Sequence, residues 1–247
     1  MKDTEKGMTR VSLSGKELEF LKNALPFWNG LTQPQQRMLA AGSYRKEYPA
    51  GSLLHSGPEG CEGLFVIMSG QVRSYILSES GREITVFRLR EGEACIFSLS
   101  CMLENIRFDI YMQAAVDSRT ILVPTPIYRE LNRTSLAVSA YTNRELSARF
   151  SDVVWLLEQI LFMSFDRRLA IFLSRQSALS GGDTVALTHE EIARDMGTAR
   201  EVVTRMLRYF QSEGIVRVSR GCVKILDRAK LQKLAGESDS QKTGDAR

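Results

Sequence analysis

Residues 187–216 narrow the choice of fold more sharply than any other segment of this chain; they run LTHEEIARDMGTAREVVTRMLRYFQSEGIV. Apolar residues recur there at intervals of three and four in two short runs, the spacing that places side chains on one face of an α-helix. Gly197 separates the runs, and glycine adopts the positive φ of a tight turn without steric cost. Thr188 and Glu191 have the spacing of a capping box before the first run. The segment predicts two short helices joined by a tight turn.

The second predicted helix has an apolar face and a polar face. The polar face carries the charged and hydroxyl side chains of Arg200, Glu201, Thr204, Arg205 and Arg208. The major groove of B-DNA is about 12 Å wide and admits one helix; there Arg pairs with guanine, Glu accepts from cytosine N4, and Thr contacts a thymine methyl group. Contacts to bases cluster at the N-terminal end of such a helix. We therefore predict base contacts from Arg200, Glu201, Thr204 and Arg205. The alternative is a solvated face on which Glu201 pairs with Arg205 one turn away.

The segment that follows, GIVRVSRGCVKIL, alternates apolar and polar residues on either side of Ser219, Arg220 and Gly221. This alternation predicts a β-hairpin with those three residues at its tip. Two helices followed by a hairpin describe a winged helix-turn-helix. Side chains at the edges of such a unit contact the DNA backbone, which fixes the register of the protein without selecting a sequence. The predicted phosphate contacts are Thr188, Thr198, Arg208 and Arg220.

Net charge supports this placement. The chain carries a formal charge of +4, and residues 165–247 hold 15 Lys and Arg against 11 Asp and Glu, whereas the residues before them hold 18 of each. The basic excess therefore lies in the part of the chain that contains the predicted helix pair, as contact with nucleic acid requires.

The region from Tyr44 to Pro126 has a different texture. Short runs rich in Val, Ile, Phe and Tyr alternate with turn signals such as YPAGS, MSGQ, SESGRE and REGEA. Strands at this spacing, with glycine between them, are typical of an all-β sandwich or barrel.

A long helix is predicted between the β region and the helix pair. Its apolar residues are spaced 4, 3, 4 and 3, which is the seam of a coiled coil, and they are Leu146, Phe150, Val153, Leu157 and Ile160. Two interpretations stay open: a seam that pairs two copies of the chain, which we favour because the pattern continues after the β region ends, and a core helix packed on its own domain.

Several classes of protein are excluded by what the sequence lacks. No apolar run reaches the roughly 18 residues of a membrane-spanning helix, and the start MKDTEKGMTR has no apolar core of a secretion signal. We expect a cytoplasmic protein without a membrane partner. The chain contains no G-x-S-x-G, H-E-x-x-H or P-loop motif, and its two histidines and four cysteines form no evident nucleophile–base set. We therefore assign no catalytic residue and no metal site, and expect no enzyme.

From about Leu25 to Leu234 the chain resembles the Crp/Fnr family of bacterial transcription regulators. The segment 187–216 is similar to that family's helix-turn-helix, and YPAGSLLHSGPEGCEGLFVIMSGQVRSYI followed by GREITVFRLREGEACI is similar to its cyclic-nucleotide-binding-type β-roll. The resemblance implies an α+β protein: a double-stranded β-helix, a dimerisation helix and a C-terminal winged helix-turn-helix. The implied boundaries are an arm at 1–20, the sensor domain at 21–133, the dimerisation helix at 134–165, the DNA-binding domain at 166–236 and a disordered tail at 237–247.

The resemblance also implies a function. Family members are homodimers that bind a two-fold-symmetric double-stranded DNA site and act on transcription through RNA polymerase, under control of a signal sensed in the β-roll. Arg200, Glu201 and Arg205 match positions that contact half-sites resembling TGTGA or TTGAT, and Thr204 stands where an oxygen-sensing branch has serine. The alternative function is an effector-binding module whose C-terminal domain docks a protein partner.

The sensed signal is a separate question. Family members that bind cyclic nucleotides hold the ribose with a glutamate after a glycine, which Gly92 and Glu93 match. They hold the phosphate with Arg followed by Ser or Thr, and those positions fall here on Phe108 and Asp109. Arg107 is one residue early, which turns its side chain to the other face of a strand, and aspartate repels a phosphodiester. The resemblance thus argues against a cyclic nucleotide.

The other cofactors of the family also lack their ligands. Iron–sulfur members use N-terminal cysteines, whereas the first cysteine here is Cys61. A haem on His55 or an unidentified small molecule stays open, and an apolar lining favours an uncharged or aromatic effector, or none. Cys95 and Cys101 are expected to be small core residues, with a redox pair or ligand contacts as the alternative. The predicted effector pocket consists of Glu93, Cys95, Phe97, Cys101, Arg107, Phe108 and Asp109.

Overall fold

A computed structural model describes residues 11–56, 62–79, 81–96, 98–99 and 109–236. The chain divides into two compact units, an N-terminal unit of residues 1–78 and 85–153 and a C-terminal unit of residues 79–84 and 154–247. In the described part of the chain, no helix combines the length and the hydropathy that crossing a bilayer demands.

Two capped helices lie near the start of the N-terminal unit. Helix α1, Gly15–Ala24, begins at a complete capping box between Ser14 and Glu17, as the sequence predicts, and α2, Gln33–Gly42, begins after Thr32. A single 3₁₀ turn, Trp28–Gly30, lies between them. Of the predicted arm 1–20, residues 11–12 form a short strand and residues 15–20 belong to α1, because the capping box fixes the start of α1 before residue 20. Residues 1–10 lie outside the described residues.

Among the described residues before Thr125, nine strands form two sheets. One sheet has the order β1-β2-β9-β4-β7 and the other the order β3-β8-β5-β6. The strands are β1 Val11–Ser12, β2 Tyr44–Tyr48, β3 Leu53–Ser56, β4 Gly63–Ser69, β5 Val72–Leu77, β6 Glu83–Leu89, β7 Ala94–Cys95, β8 Tyr111–Ala114 and β9 Ser118–Pro124. Strand β4 pairs antiparallel with β9, and β3 with β8, across long sequence intervals. This is the double-sheeted β-roll that the resemblance implies.

Strand β4 is the centre of the N-terminal core. Its residues 64–67 are all completely buried, because one face packs on the roll interior and the other on helices, and a strand covered on both faces is apolar throughout. Helix α3, Thr125–Thr134, adds Tyr128 and Leu131 to this core. The Tyr128 hydroxyl lies 2.7 Å from the Thr142 hydroxyl, so the polar end of a buried ring is satisfied.

Helix α4, Leu136–Phe162, has 27 residues, which corresponds to a length of about 40 Å. Its first turns bury Val138 and Tyr141 in the N-terminal core. The boundary between the two units falls within it, after Val153.

The C-terminal unit is a small helical domain with one sheet. Its elements are α5 Phe165–Ser180, β10 Thr184–Val185, α6 His189–Met196, α7 Arg200–Ser212, β11 Val216–Ser219, β12 Cys222–Ile225 and α8 Arg228–Ala235. The sheet order is β10-β12-β11. Its core gathers apolar residues from every helix and from the hairpin, among them Leu169, Leu173, Ile192, Leu207, Phe210 and Val223.

Candidate nucleic-acid interface

The turn between α6 and α7 is fixed at both ends. Gly197 has φ of 64°, in the left-handed region that favours glycine, and the Thr198 amide donates to the Ala193 carbonyl at 3.0 Å. Arg168 of α5 donates through Nη2 to the Met196 carbonyl at 2.9 Å. Burial lowers the pKa of the Arg168 guanidinium. The turn therefore holds α7 at a defined angle to α6.

Helix α7 buries one face and exposes the other. Val203, Leu207 and Phe210 are completely buried and pack with Ile192 and Ala193 of α6. The sequence predicts this apolar face, and the structure confirms that its spacing is helical over the whole of α7.

The predicted base-contacting residues lie together on the opposite side of α7. Arg200, Glu201 and Arg205 are exposed, and Thr204 between them is half-buried. Arg208 follows one turn beyond Thr204 and is exposed as well. Within the described part of the chain, Glu201 and Arg205 form no ion pair with each other, so the alternative of an intrahelical pair is not what the structure contains.

The sequence-based interpretation missed His189, which is the first residue of α6. Its ring nitrogen Nδ1 lies 2.9 Å from the Thr204 hydroxyl, and the ring is half-buried. Burial, and then the charges of Arg200 and Arg208, lower the pKa of His189. No local pattern signals this pair, because its members lie 15 residues apart on different helices.

The structure confirms the predicted hairpin, which forms the wing. Strands β11 and β12 pair antiparallel from Val216 opposite Ile225 to Ser219 opposite Cys222, with Arg220 and Gly221 as the two-residue connection. Gly221 has φ of 75°, and Arg220 is exposed. The Gln211 side chain accepts from the Val218 amide at 3.0 Å, which ties the end of α7 to the wing.

The two threonines that we predict to contact phosphates differ in their surroundings. Thr188 is the N-cap of α6: its hydroxyl donates to the Glu191 carboxylate at 2.7 Å and accepts from the Glu191 amide at 3.2 Å. A phosphate contact through this hydroxyl would have to displace the bond to Glu191. Thr198 is half-buried in the turn beside Gly197.

The residues of the predicted seam divide into two groups. Phe150, Val153, Leu157 and Ile160 are exposed on the single chain, Phe150 to 70%. Leu146 is half-buried and packs against the N-terminal core, so the single chain already covers part of it, and the seam as a whole stays a prediction.

The structure describes three of the seven predicted pocket residues: Glu93, Cys95 and Asp109. Glu93 is exposed, and its carboxylate accepts from the Arg90 amide at 2.8 Å within a turn. The carboxylate of Glu93 thus already has a partner within its own turn, and its assignment to the pocket stays a prediction. Asp109 is exposed, and Cys95 is buried as a core residue in β7. Phe97, Cys101, Arg107 and Phe108 lie outside the described residues.

Buried polar residues within the roll were not predicted. Ser74 of β5 and His55 of β3 both lie opposite Met112 of β8, so the three side chains share one face of the sheet. All three are buried. The Ser74 hydroxyl has no hydrogen-bond partner among the described residues.

Comparison with known proteins agrees with this architecture. The model of the Crp-like helix-turn-helix domain matches residues 167–234, and that of the cyclic nucleotide-binding domain matches residues 45–134. A solved structure from Eubacterium rectale, assigned to the Crp/Fnr family of transcriptional regulators, is 41% identical, covers 87% of this chain and 99% of its own, and has a TM-score of 0.83.

Two curated relatives have a lower sequence identity to this chain, and the matched residues cover most of their length. The Cyclic AMP receptor protein of Thermus thermophilus is 26% identical over 211 residues, which are 85% of this chain and 96% of that protein. The Fumarate and nitrate reduction regulatory protein of Vibrio cholerae is 26% identical over 209 residues, 80% of this chain and 81% of that protein. With its β-roll, its helix pair and its wing, the chain belongs to the Crp/Fnr family of transcription regulators, and α6, α7 and the wing form its DNA-binding domain.

Proposed function

We propose that this regulator acts as a homodimer that binds a two-fold-symmetric DNA site, with α7 of each copy in the major groove. The observation that carries the proposal is the polar face of α7: Arg200, Glu201 and Arg205 are exposed on the side opposite the buried Val203 and Leu207. A helix fixed by its buried face presents the other face at a constant angle, as base contacts require.

Each base-contacting residue has a distinct role in the proposal. Arg200 and Arg205 offer paired donors that match O6 and N7 of guanine, and Glu201 accepts from the N4 amino group of cytosine. Thr204 lies between them and contacts a base edge with its methyl or hydroxyl group. Arg208 and Arg220 neutralise phosphates on either side, which sets register rather than sequence preference.

Dimer formation in the proposal uses α4. Phe150, Val153, Leu157 and Ile160 are exposed at heptad spacing, and Val154, Leu161 and Phe162 extend the same apolar surface. A monomer rarely leaves so much contiguous apolar surface in water, and a second copy of α4 covers it by coiled-coil packing. Two-fold symmetry then sets the half-site centres about one helical turn apart.

The controlling signal is proposed to be something other than a cyclic nucleotide. The Glu93 carboxylate is turned to the Arg90 amide and Asp109 is exposed and anionic, so neither serves the ribose and phosphate as the resemblance would require. The buried face around Met112 carries only the neutral hydroxyl of Ser74 and the imidazole of His55 as polar neighbours in register, which suits an uncharged effector.

The test is a gel-shift titration on palindromic probes built from TGTGA and from TTGAT half-sites. We expect Arg205→Ala to weaken binding by about 1–3 kcal/mol and to relax the preference at one base pair of each half-site. Arg220→Ala at the tip of the wing is the matched control, with an equal loss on every probe. Binding and preference that Arg205→Ala leaves unchanged would contradict the proposal. Weak binding with little dependence on salt would favour the alternative, a domain that docks a protein, because DNA binding releases counterions.

A further inference from the structure

His189 joins the polar face of α7 from a different helix. The hydrogen bond between its Nδ1 and the Thr204 hydroxyl, at 2.9 Å, places the imidazole against the middle of that face. Arg200, Thr204 and Arg208 follow one another at intervals of four residues, so they lie in one row on α7. The ring lies beside Thr204, with a guanidinium one turn away on either side.

We propose that His189 is a positioning residue for base recognition: its ring nitrogen fixes the direction in which the Thr204 hydroxyl points its hydrogen, and so the kind of base that Thr204 accepts. The proposal rests on the DNA-binding role proposed above for Thr204. To that role it adds His189 on α6, and it makes the base preference of Thr204 depend on whether the His189 ring is protonated.

The hydrogen bond has a direction that depends on the ring. A neutral ring with its hydrogen on Nε2, the tautomer that predominates for histidine in water, accepts the Thr204 hydrogen at Nδ1. The Thr204 oxygen is then left as an acceptor and suits the amino groups of adenine N6 or cytosine N4. A protonated ring donates from both nitrogens. The Thr204 oxygen then accepts from Nδ1, and its own hydrogen is left for guanine or thymine oxygen.

Neighbouring charges and burial determine whether the His189 ring is protonated in the free protein. Among the described residues, the charged groups that act on it are Arg200 and Arg208, both on α7, and together with burial they lower its pKa. The free protein near neutral pH therefore holds a neutral ring. The phosphates of a bound duplex favour the imidazolium, so the pKa of His189 is higher in the complex than in the free protein. A proton is taken up on binding, and affinity rises as pH falls through the interval between the two pKa values.

The experiment measures relative affinities for a set of probes that carry each of the four bases at every half-site position, from about pH 5.5 to about pH 8. For the wild-type dimer we expect the preference at one base pair to shift by about tenfold, from adenine or cytosine toward guanine or thymine as pH falls. Thr204→Val lacks the hydroxyl, so its preference at that base pair should not change with pH.

Two substitutions of His189 separate positioning from simple packing. In His189→Asn the amide oxygen takes about the place of Nδ1 and does not titrate, so the preference seen at high pH should persist at every pH. His189→Ala should lose the preference at that base pair only, and adding it to Thr204→Val should change nothing further there.

The outcomes are distinct from those of the parent proposal. An equal loss of affinity on all probes in His189→Ala, or a wild-type preference at that base pair that is constant over the pH range, overturns the role of His189. Arg205→Ala is measured on the same probes: if neither it nor the wild type shows any base preference, the DNA-binding proposal itself has failed.

Discussion

The Arg168 guanidinium donates to the main-chain carbonyl of Met196 at 2.9 Å, and this bond joins α5 to the last turn of α6. A cation at the C-terminal end of a helix satisfies a carbonyl that has no partner within the helix and interacts favourably with the helix dipole. The bond therefore supports the turn that precedes α7, although Arg168 itself lies outside the polar face of α7.

Replacing Arg168 by methionine keeps the aliphatic stem and removes the donor. We expect the free energy of unfolding of the protein to fall by about 1 kcal/mol, below the usual value for a charged hydrogen bond because the group is half-buried and partly screened. Urea unfolding followed by circular dichroism measures the change. Arg220→Met at the exposed wing tip is the control, with a change within about 0.5 kcal/mol. Equal effects of the two substitutions would show that the bond to Met196 contributes nothing to stability.

The wing arginine is predicted to act on affinity through charge alone. Arg220→Ala should weaken DNA binding about equally on all probes and lower the slope of log K against log salt concentration by about 1. Lys233→Ala removes an exposed charge from α8, which belongs neither to the helix pair nor to the wing, and should leave the slope unchanged. A change in base preference with Arg220→Ala would mean that this residue contacts a base rather than a phosphate.

Two leucines with equal exposure test the dimer. Leu157 in the seam of α4 is 52% exposed and Leu179 in α5 is 53% exposed, so burial within the single chain does not distinguish them. A glutamate at position 157 would place a charge in the coiled-coil core, and we expect Leu157→Glu to weaken dimerisation by about tenfold or more. Leu179→Glu should leave it intact. Sedimentation equilibrium measures the dissociation constant of the dimer for both variants. If Leu157→Glu dimerised as tightly as the wild type, this seam would be excluded.

Ionisation of Tyr128 should make the stability of the N-terminal unit depend on pH in the alkaline range. Burial raises the pKa of its hydroxyl to about 12, whereas the unfolded chain ionises at its ordinary value near 10. Its contribution to stability is therefore complete below pH 10 and is lost as pH rises through about 12. In Tyr128→Phe this part of the decline should be absent. A decline at least as large, from the raised pKa values of Tyr141 and Tyr48, should remain.

At neutral pH the same substitution has a different effect. Tyr128→Phe removes the hydrogen bond to Thr142 and should cost about 1 kcal/mol of unfolding free energy. Urea titrations of the wild type and of Tyr128→Phe at neutral and alkaline pH measure both effects. If the two proteins lose stability in parallel above pH 10, the Tyr128 hydroxyl is not the group responsible.

Local signals in the sequence were sufficient for the DNA-binding domain. The spacing of Val203, Leu207 and Phe210, the glycine at 197 and the alternation around Arg220 each depend on a few neighbouring residues, so the helices, turn and wing could all be predicted. The order of the strands could not, because β3 pairs with β8 and β4 with β9 across long intervals that no local pattern records.

The same limit applies to individual residues. A heptad pattern states which face of α4 is apolar but not what covers it, so Leu146, which packs on its own unit, could not be told from Leu157. Glu93 follows a glycine as the resemblance requires, yet the turn itself uses the carboxylate. His189 acts across helices, and only coordinates reveal its neighbour Thr204.

The capping box between Thr188 and Glu191 forms within a single helical turn and involves no distant residue. It fixes the residue at which α6 begins, whereas the rotation of α6 in the domain is set by its buried residues Ile192, Ala193 and Met196. Substitutions among those three residues should move His189 relative to Thr204, so we expect them to change the choice of DNA site together with the melting temperature.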